Sequence, residues 1–297
     1  MRMIIAIVLW VALAVCSCGI TVQQKEAIDT FGEATAAVGA FCEEELAFIK
    51  QDVTEMNLYF AALDTAYTSR GIDTLGAFAN EKNTAARIAA GNALRAYGEM
   101  LSELATGDQE EEIHDAADTF IRNASAALGA ELAEERHKAA ASLLRTLAAK
   151  LEEWKRTEAI ESIVPRARTV VDRLAEMLAV DFSLETGEWR SRGYLFSYRD
   201  TAYRLRNKAQ RVTDYGGAYP LPHRYIAVQA YHQAASAIAR AALVEERCTP
   251  ALEELLRANG ELVHVIEDKD YSIADIKEYH RLVRELVGTI ETLRAGE

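Results

Sequence analysis

Residues 31–67 read FGEATAAVGAFCEEELAFIKQDVTEMNLYFAALDTAY. Within this stretch Phe31, Thr35, Val38, Cys42, Leu46, Ile49, Val53, Met56, Phe60, Leu63 and Tyr67 recur at steps of three and four residues. That is the seam of a coiled-coil-like helix, in which every apolar position returns to one face. The spacing predicts one helix over about 22–68, roughly 70 Å long at 1.5 Å per residue. It should stop near Ser69-Arg70-Gly71.

The same period extends over the rest of the chain. A second helix is expected over about 81–106, with Ile88, Leu94, Leu101 and Leu104 inward and Gly107 as its stop. Asp108, assisted by Glu111, suits the cap of a third helix burying Ile113, Ala117, Phe120, Ala124 and Leu128. A fourth is expected over 131–162, and Pro165 suits the first turn of a fifth carrying Val171, Leu174, Leu178 and Phe182. A sixth carries Leu195, Tyr198, Ala202, Leu205, Ala209 and Val212. The Gly- and Pro-rich stretch 215–222 is the one clear loop. A helix follows to about Ala258, with a possible kink at Pro250 and a stop at Asn259-Gly260. Leu262 to Ile266 reads as an apolar connector that could be extended. Ser272 with Asp275 resembles a capping box for a last helix lined by Ile276, Val283, Leu286, Ile290 and Leu293.

Only 4 prolines and 16 glycines interrupt 297 residues, and strong helix formers dominate the long segments. The expected fold is all-α, an elongated antiparallel helical bundle with long coiled-coil-like helices. A subdivision near 215–222 is compatible with the pattern.

The first residues have another character. Met1-Arg2 is followed by an unbroken apolar run, Ile4 to Val15, too short for a comfortable membrane span but suited to a signal-peptide core. It meets Val15-Cys16-Ser17-Cys18-Gly19. This segment resembles the lipobox of bacterial lipoproteins. The resemblance implies a signal peptide over 1–17, a lipidated Cys18 (Cys16 in the alternative register) and a helical body over 18–297. The body is similar to uncharacterised all-helical lipoproteins, a likeness that carries no activity. With Gly19 after the cysteine, the resemblance implies the bacterial cell envelope: in a Gram-negative cell, the outer membrane, with the body facing the periplasm. An uncleaved N-terminal anchor is the alternative. An oxidising compartment would permit a disulfide between Cys42 and Cys248; two free buried thiols are equally compatible.

Glu-x-x-His pairs occur, among them Glu111 with His114 and Glu134 with His137. Such pairs hold metal in di-iron bundles when two further carboxylates join them. Glutamate is abundant, so solvated helix-end charge explains them better, and no cofactor is expected. Phosphate-cradling Gly-rich loops, nucleophile elbows and His-Glu-x-x-His are absent from the sequence. The reading is therefore non-enzymatic.

The formal net charge is -13, yet residues 189–225 hold eight basic and two acidic side chains and six of the twelve tyrosines. Arg190, Arg192, Tyr194, Arg199, Tyr203, Arg204, Arg206 and Arg211 form a candidate binding surface. Arg and Tyr bury area while keeping a polar tip, and Arg forks suit phosphate or carboxylate. Pairing with acidic neighbours such as Glu43 to Glu45 is the competing explanation. An exported segment would not meet nucleic acid, so the expected partners are the membrane, through the lipid, and an envelope protein or acidic glycan. The expectation is a helical scaffold or interaction module; a ligand-binding bundle, acting as solute receptor or sensor, is the alternative.

Overall fold

Thr21 starts the first long helix. Its hydroxyl accepts from the Gln24 N–H at 3.2 Å, and the Gln24 side chain accepts from the Thr21 N–H at 3.0 Å. This reciprocal cap satisfies two N–H groups that a helix start leaves without partners. The computed structural model describes residues 20–64, 81–106, 110–129, 156–185, 193–214, 219–268 and 273–296. Among them are seven helices and no strand: α1 Val22–Ala62, α2 Glu81–Thr106, α3 Glu110–Gly129, α4 Arg156–Asp181, α5 Tyr194–Asp214, α6 Leu221–Glu267 and α7 Ala274–Gly296. The chain is an all-α helical bundle. None of these helices is long and apolar enough to cross a membrane.

From Phe31 to Met56 the seam read from the sequence is the inward face of α1, and Phe60 is half-buried. Phe31, Val38, Cys42, Leu46, Ile49, Val53 and Met56 are all buried. α1 pairs antiparallel with α6 along most of its length. Gln24 Nε2 donates to the Val265 carbonyl at 3.0 Å near one end, Glu45 meets Arg240 in the middle, and Asp52 meets Gln233 beyond it. α2 lies antiparallel on another side of α1. Gly32 and Gly39 face Gly98 and Gly91 there, and a Cβ at any of the four would come within 3 Å of the opposing backbone. α4 packs antiparallel against both α2 and α6, through the Arg87–Asp181 pair at 2.6 Å and through Asn259. α3 covers α2, with Tyr97 and Phe120 rings 5.1 Å apart.

α5 takes over from α4 along the other half of α6, and α7 lies in the groove between α1 and α6. Tyr279 of α7 stacks near Phe31 at 5.7 Å and donates to Thr35 at 3.4 Å. Buried residues from all seven helices, those before residue 215 and those after residue 222 alike, form one hydrophobic cluster.

Three boundaries differ from the sequence reading. α1 ends at Ala62, where the Leu63 N–H closes back on the Tyr59 carbonyl at 2.9 Å, rather than near residue 68. Pro165 does not open a helix but lies inside α4, where Ile160, Ile163, Val164 and Ala167 are buried on both sides of it. Asn259-Gly260 does not end α6. The Asn259 amide donates to the Arg168 carbonyl and to Asp172, and Gly260 leaves room for the Arg168 guanidinium 3.2 Å from where a Cβ would sit. Tertiary contact thus overrides the local stop signal, and Leu262 to Ile266 are helical. The α7 start is capped from α6, since Ala274 and Ile276 donate their N–H groups to Glu261. Ser272, Asp108, residues 131–155 and the 69–71 stop lie outside the described residues.

Candidate functional site

Four polar residues interrupt the inward face of α1: Thr35, Cys42, Glu45 and Asp52, each 5 % exposed or less. A buried polar group must find a partner or the fold loses the full desolvation energy. Each of these does. Thr35 meets Tyr279, and Cys42 meets Cys248. Glu45 receives Arg240 in a two-pronged contact, Nε to Oε1 at 2.9 Å and Nη2 to Oε2 at 2.7 Å. The Arg240 guanidinium also lies 3.6 Å from the Phe48 ring centroid, where the ring face favours a cation. Asp52 accepts from the Tyr198 hydroxyl at 2.6 Å and from the Gln233 amide.

Above Arg240 the groove between α1 and α6 opens. A cleft of about 380 Å³ is lined by Phe48, Gln51, Asp52 and Glu55 of α1, Tyr198 of α5, and Gln233, Ser236, Ala237 and Arg240 of α6. Its origin is topological. Glu45, Phe48 and Gln51 lie fourteen residues beyond Phe31, Ala34 and Ala37, and so on the same face of α1. Arg240 and Gln233 stand seven and fourteen residues before Arg247, which reaches Glu285 of α7 at 3.8 Å. α7 covers this stripe lower down and contributes no residue to the cleft lining.

The electrostatics of the cleft are anionic. Arg240 is paired with Glu45, and the lining also carries two carboxylates, Asp52, which is held by Tyr198 and Gln233, and the exposed Glu55. Burial, and then the Asp52 carboxylate, push the Tyr198 hydroxyl well above the ordinary tyrosine range. Tyr198 is therefore a fixed donor at neutral pH rather than a base. Glu55 can meet a positive charge at the cleft mouth, and Gln51 and Ser236 offer polar groups beside it.

The basic Tyr-Arg segment contributes one wall of this cleft through Tyr198, on its inward face. Its outward residues go elsewhere. Arg199 donates to the Leu184 carbonyl at 3.3 Å and lies over Phe196. Arg204 pairs with Asp200 at 3.2 Å, and Arg206 stacks 4.9 Å from Tyr203. Lys208 bridges to Asp64 at 3.4 Å. Tyr194 contacts Thr84 at 3.2 Å, and Arg211 is exposed. The acidic run proposed to answer these arginines is used by other helices: Glu43 by Arg95 at 3.0 Å and Glu45 by Arg240. Arg190, Arg192, Cys16 and Cys18 lie outside the described residues, as do Glu134 and His137. Glu111 is exposed and His114 half-buried on α3. Among the described residues no three His, Cys, Asp or Glu side chains converge as metal ligands.

Sequence reasoning missed Asp52, Glu45, Gln233 and Arg240. The available signal was a carboxylate one residue before an apolar seam position, twice, at Glu45-Leu46 and Asp52-Val53. No protein-family model matches the chain, and no curated protein or solved structure is significantly similar to it.

Proposed function

We propose that this is a non-enzymatic, lipid-anchored protein of the bacterial cell envelope whose helical body binds a small, polar, positively charged solute in the α1–α5–α6 cleft. The observation that carries the binding reading is the cleft itself, whose lining gathers the exposed Glu55 carboxylate and the polar groups of Gln51 and Ser236 above the Glu45–Arg240 pair. Concave sites with a few converging polar groups are where small ligands bind. The anchoring reading rests on the lipobox-like Val15 to Gly19 segment and on Cys18 within it.

The test uses the purified full chain, with lysine, arginine and putrescine as cationic probes and glutamate as an anionic control. Cationic probes are expected to raise the melting temperature and to bind in titration calorimetry. Glu55→Gln, an exposed change that leaves the buried network intact, should weaken them about tenfold, the worth of one charge-assisted contact. Equal silence of all four probes, or preference for glutamate, would overturn the binding reading. The mass of the N-terminal peptide from a membrane fraction decides the anchor: a lipidated Cys18 supports it, and an intact Met1 rejects it.

A second reading, a docking module for another envelope protein, is favoured by one observation. Leu221, Tyr225 and Val228 form an exposed apolar stripe on the first turns of α6, 76, 65 and 46 % exposed. Such a stripe is a common mark of a protein-contact surface.

A further inference from the structure

Cys42 and Cys248 sit at the same level of the antiparallel α1–α6 pair. Gln24 with Val265 fixes the register on one side of them, and Glu45 with Arg240 fixes it on the other. Both cysteines are completely buried, and their thiols neighbour each other across the helix interface. Apolar residues surround them in the common core, and Tyr279 closes the site from α7. Two thiols in contact on rigid, facing helices are held where a bond between them needs little backbone motion.

We propose that Cys42 and Cys248 are a disulfide-forming pair whose redox state is set while the chain folds and is then sealed by the fold. The reaction is thiol–disulfide exchange with a disulfide oxidant. One cysteine thiolate attacks the oxidant and releases one thiol. The second cysteine then attacks the mixed disulfide and releases the other. The protein loses two hydrogens, and the oxidant is reduced to two thiols.

The sealing follows from the environment. Exchange requires a thiolate and access to it. Burial pushes the Cys248 thiol well above its ordinary range, with the neighbouring Cys42 and the nearby Glu45 charge adding to the rise. Complete burial also keeps a second disulfide out. The folded, reduced protein is therefore inert, and exchange belongs to the open chain. Closing a loop of about 200 residues also restricts the unfolded ensemble strongly, so the bond favours the folded state.

The experiment uses the full chain with Cys16→Ser and Cys18→Ser, so that only this pair remains, kept in detergent throughout. It is unfolded, then refolded with glutathione disulfide or with a dithiol reductant. Refolding with the oxidant is expected to give a monomer lighter by two hydrogens with no alkylatable thiol. It should melt about 5–10 °C above the reduced form. Protein folded in reductant and then given glutathione disulfide should keep both thiols until it is unfolded. A further Cys42→Ser, Cys248→Ser variant should melt alike after either refolding. Two free thiols, glutathione adducts or linked dimers after oxidative refolding would overturn the pairing. Rapid oxidation of the folded, reduced protein would overturn the sealing.

Discussion

Asp172 and Asn259 illustrate how single residues carry this fold. Asn259 sits mid-helix in α6, where its side chain donates to Asp172 at 2.7 Å and to the Arg168 carbonyl at 3.3 Å. Burial raises the Asp172 carboxyl above its ordinary value, and the Asn259 hydrogen bond and Arg168 only partly oppose the rise. A carboxyl that binds its proton more tightly when folded contributes stability at low pH, and that contribution is lost as pH rises through its folded value. Asp172→Asn keeps the acceptor for Asn259 and removes the charge. The variant is expected to melt above the wild type at pH 7, with the advantage shrinking as pH falls towards about 4. A difference that does not change with pH would refute this. The buried Glu45–Arg240 pair tells a related story, because charges this deep cost several kcal/mol to desolvate and persist only through their paired geometry. Neither pair was legible in the sequence. Spacing places Asn259 at a helix end and Arg240 on a mostly alanine stripe, and only the opposing helix supplies their partners.

The helices themselves were largely legible. The α1 seam, and the inward residues of α3 and α5, are buried as their period requires. The failures came at Pro165 and at Asn259-Gly260, where local signals of helix start and stop were outweighed by packing on both sides. The glycines of α1 and α2 are a clearer lesson. They read as weak helix positions, yet they let two backbones touch. A Cβ at Gly39 would meet the backbone of Gly91 and Arg95, and one at Gly98 that of Gly32 and Ala36. Backbone cannot move aside as a side-chain tip does, so the helices must separate. Gly39→Ala and Gly98→Ala should each cost about 1–3 kcal/mol in urea unfolding. Gly288 of α7 has nothing within 4 Å of such a Cβ, and Gly288→Ala should gain about 0.5–1 kcal/mol. Equal effects at the two kinds of site would show that backbone entropy, not contact, governs them.

At the scale of the whole molecule, α7 packs on the groove that α1 and α6 share without lining the cleft farther along it. The first turns of α6 are likewise left with an outward apolar stripe. If that stripe docks a partner, replacing Leu221, Tyr225 and Val228 together by Ser should leave the melting temperature nearly unchanged, as surface changes do. It should remove cross-links to the partner in envelope preparations; cross-links that survive would dismiss the stripe as the contact.

The position of α1 has a consequence for how the chain comes together. α1 leaves the ribosome well before its principal partner along the inward face, α6, which follows about 200 residues later. Neighbouring α2 closes on the glycine side early, through contacts local in sequence. The other face must wait, and long-range closure is the slow step in folding. Thr35, Cys42, Glu45 and Asp52 lie on that waiting face. The polar groups that are expensive inside the finished bundle keep the half-built one wettable, so that an unfinished chain has less reason to stick to its neighbours.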